Sequence, residues 1–520
     1  MIKMKKNNIY KLLLLLFITT VLQSCFEDET TYDSNKFDEV VVDTTGMPEV
    51  NILQFETLKI EPNIQTEADP SALTYTWKVN AEVRDTTMTI IGVEKDLEYE
   101  VVLPISKPGE SYNLCLIVTD NVNEINYITR WSLTVKNALG QGLVVADSKD
   151  GSKTDLSLIM GEKITKEYDY DETKIHYNIY STFNNDACID GVVKKMLQRN
   201  IYGVMSLLAI TDNSILRITT EDYTLFTKDD GMFYLDYGTY DPGNIYAFNQ
   251  NDIYVENGSL FCTWLGVSDE FNVPKDNPQY FPDIMAVNHF LYPKCALTFY
   301  DEAAGKFGYV PKLTSSQVNL FEESLDTEFN PVNVPNKENL EAAVSTNSDF
   351  IHVLKDKTTN NVEMYIFNQG VTTYGEPGYG VPVPEKRIDL SSAPEISSAS
   401  NFVICDDQNV IYYTAGNNLY SIVYSSSTPS ISLRYASDCE ITTLQMFNEV
   451  NYPIQYYDEN WSLIPFISTN NNHLIMSTYD GNEGKVLIMP IDNLGIGTIN
   501  QDGIEEIGGF GKISAITPQL

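Results

Sequence analysis

The sequence predicts an all-β protein in which a small β-sandwich is followed by a larger domain of repeated β-hairpins. The chain is rich in β-forming aromatic residues, with 33 Tyr and 22 Phe among 520 residues. Its apolar segments are short and are separated by Pro, Gly, Asp and Asn, which is typical of strands joined by turns. One hairpin pattern recurs along most of the chain, which indicates a repeat architecture.

The first 24 residues have the features of a signal peptide. Lysines precede the apolar run at residues 12–21, which is too short to span a bilayer core of about 30 Å. Leu22 and Ser24 stand before Cys25, and this pattern resembles the lipobox of bacterial lipoproteins, in which the Cys sulfur is diacylated and becomes the new N-terminus. The resemblance implies that residues 1–24 are removed and that Cys25 carries the lipid anchor.

The residues after Cys25 indicate where the protein is sent. Residues 26–29, Phe-Glu-Asp-Glu, resemble the acidic export signal of lipoproteins of the Bacteroidetes group. We therefore expect an outer-membrane, lipid-anchored protein that faces the cell exterior, with a periplasmic-facing anchor as the alternative. The chain stays polar and acidic to Met47, so residues 25–47 are predicted to form a lipidated acidic tether.

The charge balance excludes one class of partner. The chain holds 34 Lys and Arg against 72 Asp and Glu, a net charge of −38. Such a charge repels phosphate backbones, so nucleic acid is not an expected partner. The charge is compatible with cationic peptides and with neutral glycans, and it does not decide between them.

Residues 48–136 are predicted to form the β-sandwich. Seven short segments rich in Val, Ile, Leu, Tyr and Thr lie between turn residues, and this spacing is typical of a sandwich. The segments are residues 50–55, 58–62, 73–79, 88–91, 97–103, 112–119 and 127–135. Trp77 lies on the third segment, and we expect its ring in the core.

Three of these segments carry a family resemblance. Residues 58–62, the strand with Tyr75 and Trp77, and residues 114–120 resemble a polycystic-kidney-disease-type (PKD-like, Ig-like) domain, in the divergent form found at the front of Bacteroidetes surface lipoproteins. The central tryptophan motif that other members continue with Asp and Gly-Asp-Gly is absent here. The resemblance implies a spacer domain without chemistry of its own.

From residue 140 onward an apolar strand, a polar turn and a second strand recur. The clearest turn is Asn257-Gly258, because Asn-Gly between strands is a strong hairpin signal. The seven copies pair residues 143–146 with 156–160, 207–211 with 215–218, 253–256 with 260–264, 296–300 with 307–310, 350–354 with 362–367, 402–405 with 410–414, and 474–478 with 485–489. A single hairpin is marginally stable, and radial packing of the copies buries their faces.

These copies predict a β-propeller over residues 140–520. Seven blades are favoured, six or eight are alternatives, and stacked sandwiches are the other architecture that fits. The tail at residues 513–518 is expected to close the ring by completing a blade. Residues 192–198, 317–325 and 337–344 have helical spacing, and we expect them to form short helices in the connections.

Catalytic and metal motifs are missing from the sequence. The four histidines are far apart, and His352 and His473 lie beside apolar strand residues, where a structural role is expected. The sequence has no nucleophile elbow and no phosphate-binding glycine loop. The six cysteines after Cys25 contain no close pair, so metal sites made of paired cysteines are excluded. Most of these cysteines are expected to be buried as small apolar residues, and a disulfide between distant strands is the alternative. No cofactor is expected, although a calcium ion remains an alternative at the turn of Asp147, Asp150 and Asp155.

Aromatic residues beside amides are the candidate ligand-binding residues. Flat rings that stack on apolar ligand faces, flanked by hydrogen-bonding amides, suit sugars or extended peptides. The candidates are Tyr452, Tyr456, Tyr457 and Trp461 in one cluster and Tyr374 and Tyr379 in another, with Tyr234, Tyr237 and Tyr240 as a further loop. The alternative is that these rings attach loops to the propeller surface.

The whole layout resembles PKD-like lipoproteins that accompany starch-utilisation-type (SusC/SusD-like) TonB-dependent importers. The resemblance implies a non-catalytic accessory that binds an oligosaccharide or a peptide and docks on the transporter and its lid lipoprotein. Two alternatives stay open. A surface hydrolase or lyase requires a deep central pocket with convergent carboxylates of shifted pKa, and an adhesion or structural module is expected to have no pocket.

Overall fold

The structure, a computed structural model, describes residues 39–44, 49–67, 69–83, 86–107, 109–165, 168, 172–201, 204–248, 251–264, 268–274, 281–289, 294–313, 318–324, 327–426, 428–448, 454–457, 463–466 and 472–519. The regular secondary structure in this part of the chain is mainly β, with 41 strands, four short 3-10 helices and one short α-helix, α1 (Ile179–Phe183). Within it, no helix is long and apolar enough to cross a membrane. The predicted lipid anchor, Cys25, lies outside the described residues.

The chain divides into two compact units, and the first is the predicted sandwich. Its strands are β1 (Val40–Asp43), β2 (Glu49–Leu53), β3 (Thr57–Ile60), β4 (Asn63–Thr66), β5 (Leu73–Asn80), β6 (Met88–Gly92), β7 (Leu97–Glu100), β8 (Tyr112–Asp120) and β9 (Ile125–Lys136). The order β2-β9-β8-β5-β6 forms a five-stranded sheet, while β3 pairs with β7 and β1 with β4. The seven predicted segments correspond to β2, β3 and β5–β9. Strand β1 lies inside the segment predicted as a tether.

Trp77 of β5 lies at the centre of this unit. Its side chain is fully buried, and its ring stacks on that of Trp131 with 5.6 Å between centroids. The indole N–H donates a hydrogen bond to the carbonyl oxygen of Glu94 at 3.1 Å, which satisfies its one polar group. The prediction that Trp77 is a core residue is confirmed.

The second unit contains the remaining strands. They are β10 (Gly142–Ser148), β11 (Lys153–Met160), β12 (Lys174–His176), β13 (Ile189–Asp190), β14 (Lys195–Ile201), β15 (Val204–Ile210), β16 (Ile215–Thr219), β17 (Leu225–Lys228), β18 (Pro242–Phe248), β19 (Asn251–Glu256), β20 (Ser259–Trp264), β21 (Ser268–Phe271), β22 (Met285–Val287), β23 (Leu297–Asp301), β24 (Lys306–Val310), β25 (Asn319–Leu320), β26 (Lys337–Val344), β27 (Phe350–Asp356), β28 (Val362–Asn368), β29 (Val383–Asp389), β30 (Asn401–Ile404), β31 (Val410–Ala415), β32 (Asn418–Val423), β33 (Ser430–Ala436), β34 (Glu440–Met446), β35 (Ile454–Tyr457), β36 (Leu463–Phe466), β37 (His473–Tyr479), β38 (Gly484–Asn493), β39 (Thr498–Ile499), β40 (Glu505–Phe510) and β41 (Lys512–Gln519).

Over the described residues, these strands, apart from β35 and β36, form seven antiparallel sheets that we number as blades in chain order. Blades 2 to 6 are β14–β17, β18–β21, β22–β25, β26–β29 and β30–β33. Blade 1 is β41-β10-β11-β12 with β13 beside β11, and blade 7 is β34-β37-β38-β40 with β39 beside β38. The small β35–β36 hairpin is inserted between β34 and β37.

The seven blades close into a ring. The innermost strands are β41, β14, β18, β22, β26, β30 and β34, and each lies against the next, with β34 against β41. Strand β41 joins blade 1 by pairing with β10 along its whole length, so the two ends of the propeller share one sheet. The predictions of a seven-bladed propeller and of a C-terminal strand that completes a blade are confirmed.

Each pair of neighbouring blades shares a hydrophobic core. On β10, Val144 and Ala146 pack toward blade 2, whereas Leu143 and Val145 pack toward blade 7. Equivalent clusters lie between every other pair of neighbouring blades. Because the middle strands are buried on both faces, they appear in the sequence as continuous apolar runs. These runs are the feature that made the hairpins recognisable.

All seven predicted hairpins are present, one in each blade. In six blades they are the second and third strands, and in blade 6 they are the first and second. At the Asn-Gly turn, Asn257 and Gly258 have φ of 48° and 77°, as a type I′ turn requires.

The prediction of helices at residues 192–198, 317–325 and 337–344 is wrong where the structure describes them. Their strands are β14, β25 and β26, of which two are innermost strands. An innermost strand faces the polar centre of the ring on one side, so its apolar residues do not form a continuous run. In β26 a bulge between Asn339 and Glu341 also breaks the alternation of side chains.

Candidate functional site

The innermost strands surround a cavity of about 350 Å³ in the central channel. Its lining comes from blades 2 to 7, so only the closed ring assembles it. The lining residues on which the site depends are Lys195 of β14, Asn244 and Tyr246 of β18, His289 after β22, Glu341 of β26 and Asp406 after β30. This channel cavity is the candidate functional site.

Lys195 is the cation of the channel cavity. Its Nζ donates a hydrogen bond to Oδ1 of Asn244 at 2.9 Å and lies 4.4 Å from the ring centroid of Tyr246. The side chain is half-buried, and the loss of hydration lowers its pKa from 10.5 to about 8. Lys195 therefore keeps its positive charge at neutral pH, although the surrounding protein only partly offsets the free energy that the ammonium group loses when it leaves water.

Asn244 and Tyr246 are held in place by backbone contacts. The Asn244 amide donates to the Tyr246 hydroxyl at 3.0 Å and to the carbonyl oxygen of Asp283 at 2.6 Å. The Tyr246 hydroxyl donates to the same carbonyl and accepts from the N–H of Met285 at 3.0 Å. Because the Asn244 NH2 group donates both of these hydrogen bonds, the amide is held with its oxygen, Oδ1, facing Lys195.

Gly243 allows this close approach of blades 3 and 4. A Cβ at this position would lie 1.9 Å from Oδ1 of Asp283. A larger residue would force the Asp283 carboxylate to move away from its present position.

Glu341 is the acid of the channel cavity. Its Oε1 accepts a hydrogen bond from the N–H of Ala342 at 2.9 Å. Burial raises the pKa of the carboxyl from 4.5 to about 7, although the N–H of Ala342 and the charge of Lys195 both oppose this rise. Lys195 and Glu341 thus change their charges on either side of neutral pH, which is unusual for both residue types.

Two further groups line the cavity in neutral form. Burial lowers the pKa of His289 to about 4, so the imidazole is uncharged at neutral pH. Burial also raises the pKa of the Cys405 thiol, which is therefore protonated. Neither group adds charge to the cavity.

A second cavity, of about 540 Å³, lies on the upper face, defined as the face at which the innermost strands begin. It shares Ile284 with the channel cavity. The charged side chains in its lining are Lys194, Asp241, Asp283 and Glu302. Burial and the charge of Asp241 raise the pKa of Asp283, whereas Lys194 opposes the rise. The upper cavity is thus mainly acidic.

The predicted aromatic candidates lie away from the channel cavity or outside the described residues. Tyr374 is 81% exposed and meets Tyr379 edge to face at 5.4 Å, in the connection between β28 and β29, on the face opposite to the upper cavity. Tyr452 and Trp461 lie outside the described residues, as do the side chains of Tyr456 and Tyr457, whose backbones belong to β35. The structure therefore does not bring the described candidates into the channel cavity.

The third aromatic loop is partly structural. Tyr240 stacks on Phe233 at 5.2 Å and donates to Asp230 at 2.6 Å, so its ring attaches the loop to blade 3. Tyr234 is 69% exposed, and Tyr237 packs edge-on against Phe233 at 5.6 Å.

The carboxylates of the alternative calcium turn have separate roles. Asp150 accepts from the N–H groups of Ser152 and Lys153 at 2.7 and 2.8 Å, as in an ordinary Asp turn. Asp147 accepts from the N–H of Gly511 at 2.6 Å, and Asp155 accepts from that of Leu156 at 2.8 Å. Over the described residues, no group of three or more acids, His or Cys is arranged to hold a metal ion.

His352 and most of the described cysteines are buried, as expected. His352 is fully buried, and its Nε2 lies 2.8 Å from the hydroxyl of Thr298. None of the six cysteines in the described part of the chain forms a disulfide, and Cys115, Cys262, Cys295 and Cys405 are buried.

The sequence pattern did not indicate Lys195, Tyr246 or Glu341 as site residues. Two of them lie on segments that have helical spacing, so their side chains were not assigned to a channel. The available signal was the regular order of strands within a blade, because in blades 2 to 5 and in blade 7 the segment before the recognised hairpin supplies the innermost strand.

Comparisons with known proteins give one family match and several distant structural matches. The PKD-like family model matches residues 25–189, which confirms the family resemblance for this part of the chain. No curated protein matches the chain.

Several solved structures match the chain at low identity and low TM-score. A quinonprotein alcohol dehydrogenase-like protein from Bacteroides thetaiotaomicron has 10% identity and a TM-score of 0.28, over 93% of this chain and 96% of that one. PorZ, a surface component of the type-IX secretion system of Porphyromonas gingivalis, has 8% identity and a TM-score of 0.33, over 78% of this chain and 44% of PorZ. The β-propeller domain of Cps50 (Swd1) from Myceliophteria thermophila has 10% identity and a TM-score of 0.22, over 63% and 86%.

Proposed function

We propose that the protein is a lipid-anchored binding protein of the cell exterior whose propeller takes part of a nutrient oligomer into the channel cavity. It acts as a non-catalytic accessory of a SusC/SusD-like TonB-dependent importer and contacts the transporter and its lid lipoprotein. The oligomer is an oligosaccharide or a peptide. The location rests on the lipobox at Cys25 and the acidic residues after it.

The channel cavity is the observation that supports binding. Its volume of about 350 Å³ lies in the range of small-molecule sites, about 300–1,000 Å³. Asn244, Tyr246 and Glu341 are held by hydrogen bonds to backbone groups before any ligand arrives, and such preorganisation lowers the entropic cost of binding. This cavity is a reason to prefer a binding role over an adhesion or structural role, for which no pocket is expected.

A binding screen combined with a turnover assay tests the proposal. The full chain is purified in detergent and titrated with a panel of oligosaccharides and peptides, and each mixture is then analysed for products. We expect binding of at least one oligomer without product release. Release of shortened products by the pure protein would contradict the non-catalytic role.

The anchor and the partners need a separate experiment. A pull-down from detergent-solubilised outer membranes is expected to recover the transporter and its lid lipoprotein, and Cys25→Ser is expected to move the protein from the membrane to the soluble fraction. Unchanged membrane retention of C25S would contradict the lipid anchor.

A surface hydrolase or lyase is the second candidate, and the Lys195–Glu341 pair favours it. With pKa values of about 8 and about 7, Lys195 is suited to act as a general acid and Glu341 as a general base near neutral pH. This candidate predicts turnover that Glu341→Gln abolishes while ligand binding is retained. Its pH profile would be bell-shaped.

A further inference from the structure

We propose that the channel cavity recognises a carboxylate group of its ligand and that Lys195 is the residue that binds it. This inference rests on the proposed function, because it names the chemical class of the ligand that the channel takes.

Lys195 has no anionic partner of its own among the described residues. None of their carboxylates lies within 4.0 Å of its Nζ, although the neighbouring Lys194 pairs with Asp212 at 2.6 Å. The contacts described for the Nζ are the amide oxygen of Asn244 and the face of the Tyr246 ring. An ammonium group has three N–H donors, so Lys195 keeps donor capacity for a ligand in the cavity.

A carboxylate is the ligand group that satisfies this arrangement best. Removing an ammonium group from water is costly unless it is paired with an opposite charge. A neutral hydroxyl or amide would leave most of that cost in place, whereas a carboxylate would remove it and form charge-assisted hydrogen bonds. A cation in the channel of a protein with net charge −38 is therefore a specific signal for an anionic group.

The other groups around Lys195 are compatible with an anion. Glu341 keeps its proton below about pH 7 and can then donate a hydrogen bond to a carboxylate instead of repelling it. Tyr246 and His289 are neutral in this range, because burial raises the pKa of the phenol and lowers that of the imidazole. Asp406 belongs to blade 6, across the ring from Lys195 in blade 2.

Two sources can supply the carboxylate, an acidic sugar or the C-terminus of a peptide. The experiment therefore uses matched pairs of probes with and without the charge. D-galacturonate is compared with D-galactose, and N-acetyl-Ala-Ala is compared with its C-terminal amide. The full chain in detergent is titrated calorimetrically at pH 6.5, together with Lys195→Met and the control Lys485→Met, which removes a 43% exposed lysine on β38.

We expect one charged probe to bind about tenfold or more tightly than its neutral partner, since a hydrogen bond to a charged group is worth about 1.5–3 kcal/mol. K195M is expected to abolish this preference and K485M to keep it. The sugar pair and the peptide pair identify the source of the carboxylate.

Proton linkage gives a second readout. At pH 8.5 Lys195 is partly deprotonated, so binding of an anion is expected to draw a proton onto it. Titrations in two buffers of different ionisation heat are expected to show proton uptake by the wild type and none by K195M. The affinity for the charged probe should fall from pH 6.5 to pH 9, as Glu341 and then Lys195 lose their protons.

Equal affinity for a charged probe and its neutral partner, or a preference that K195M retains, would overturn the inference and leave channel binding intact. Absence of binding by all four probes would also overturn it. The proposed function fails separately, if none of the oligomers in the broader panel binds.

Discussion

Glu341→Gln is expected to remove a pH-dependent part of the stability of the propeller. In the native protein Glu341 keeps its proton up to about pH 7, whereas a solvated glutamate in the unfolded chain loses it near 4.5. Between these values the native state binds more protons than the unfolded state. The stabilising contribution is fully present below 4.5 and is lost as the pH rises through 7.

The magnitude follows from the two pKa values. One pH unit of difference corresponds to about 1.4 kcal/mol, and between pH 5 and pH 8 the titration covers most of the difference. The wild type should therefore lose about 2.5 kcal/mol of unfolding free energy from this group, and the glutamine variant should lose none of it. Relative to the wild type, E341Q becomes more stable by this amount as the pH rises.

Urea unfolding followed by near-ultraviolet circular dichroism at pH 5, 6, 7 and 8 measures this difference. Glu338→Gln is the matched control, because Glu338 is on the same strand but is 44% exposed and pairs with Lys355 at 2.9 Å. The difference between E338Q and the wild type should be constant over this range. If the E341Q difference also stays constant within about 0.5 kcal/mol, the burial argument for the channel is refuted.

Three further changes test the fold. Asp252→Asn should destabilise the protein by about 3–5 kcal/mol in urea unfolding, because the fully buried carboxylate lies between the buried side chains of Arg199 and Arg217. A loss of unfolding free energy under about 1 kcal/mol would contradict this role of Asp252. Deleting Lys512–Gln519, which forms β41, should abolish the cooperative unfolding of the propeller, and a retained transition would show that ring closure is dispensable. Gly258→Ala should lower the free energy of unfolding by about 1 kcal/mol, because Gly258 has a φ of 77°, which a residue with a Cβ adopts only with strain. An unchanged urea midpoint would count against the type I′ turn.

The blades could be predicted from the sequence because their middle strands are buried on both faces. Residues such as Val144 and Val145 pack into two different interblade cores, so the strand appears as an unbroken apolar run. The Asn-Gly turn then predicts one hairpin directly, and the recurrence of the hairpin pattern along the chain predicts the propeller. Trp77 was recognisable for a similar reason, since a large ring on an alternating strand needs a core.

The channel could not be predicted in the same way. Lys195 and Glu341 lie in different blades, and only the closure of the ring makes them line one cavity. Their unusual pKa values come from loss of hydration inside that cavity, which has no signature in the local sequence. Residue type alone makes Tyr374 and Tyr379 candidates, and residue type does not indicate which face of the propeller carries their side chains.

Ligand binding to a protein with a filled channel tests the central claim most directly. Ala343 lines the channel cavity, so Ala343→Trp occupies it, whereas Val122→Trp adds the same ring at a sandwich position that is 76% exposed. With the tightest oligomer from the panel as ligand and circular dichroism as the check on folding, we predict that A343W loses binding and V122W retains it. Equal affinity of a folded A343W and the wild type would contradict the assignment of the channel as the binding site.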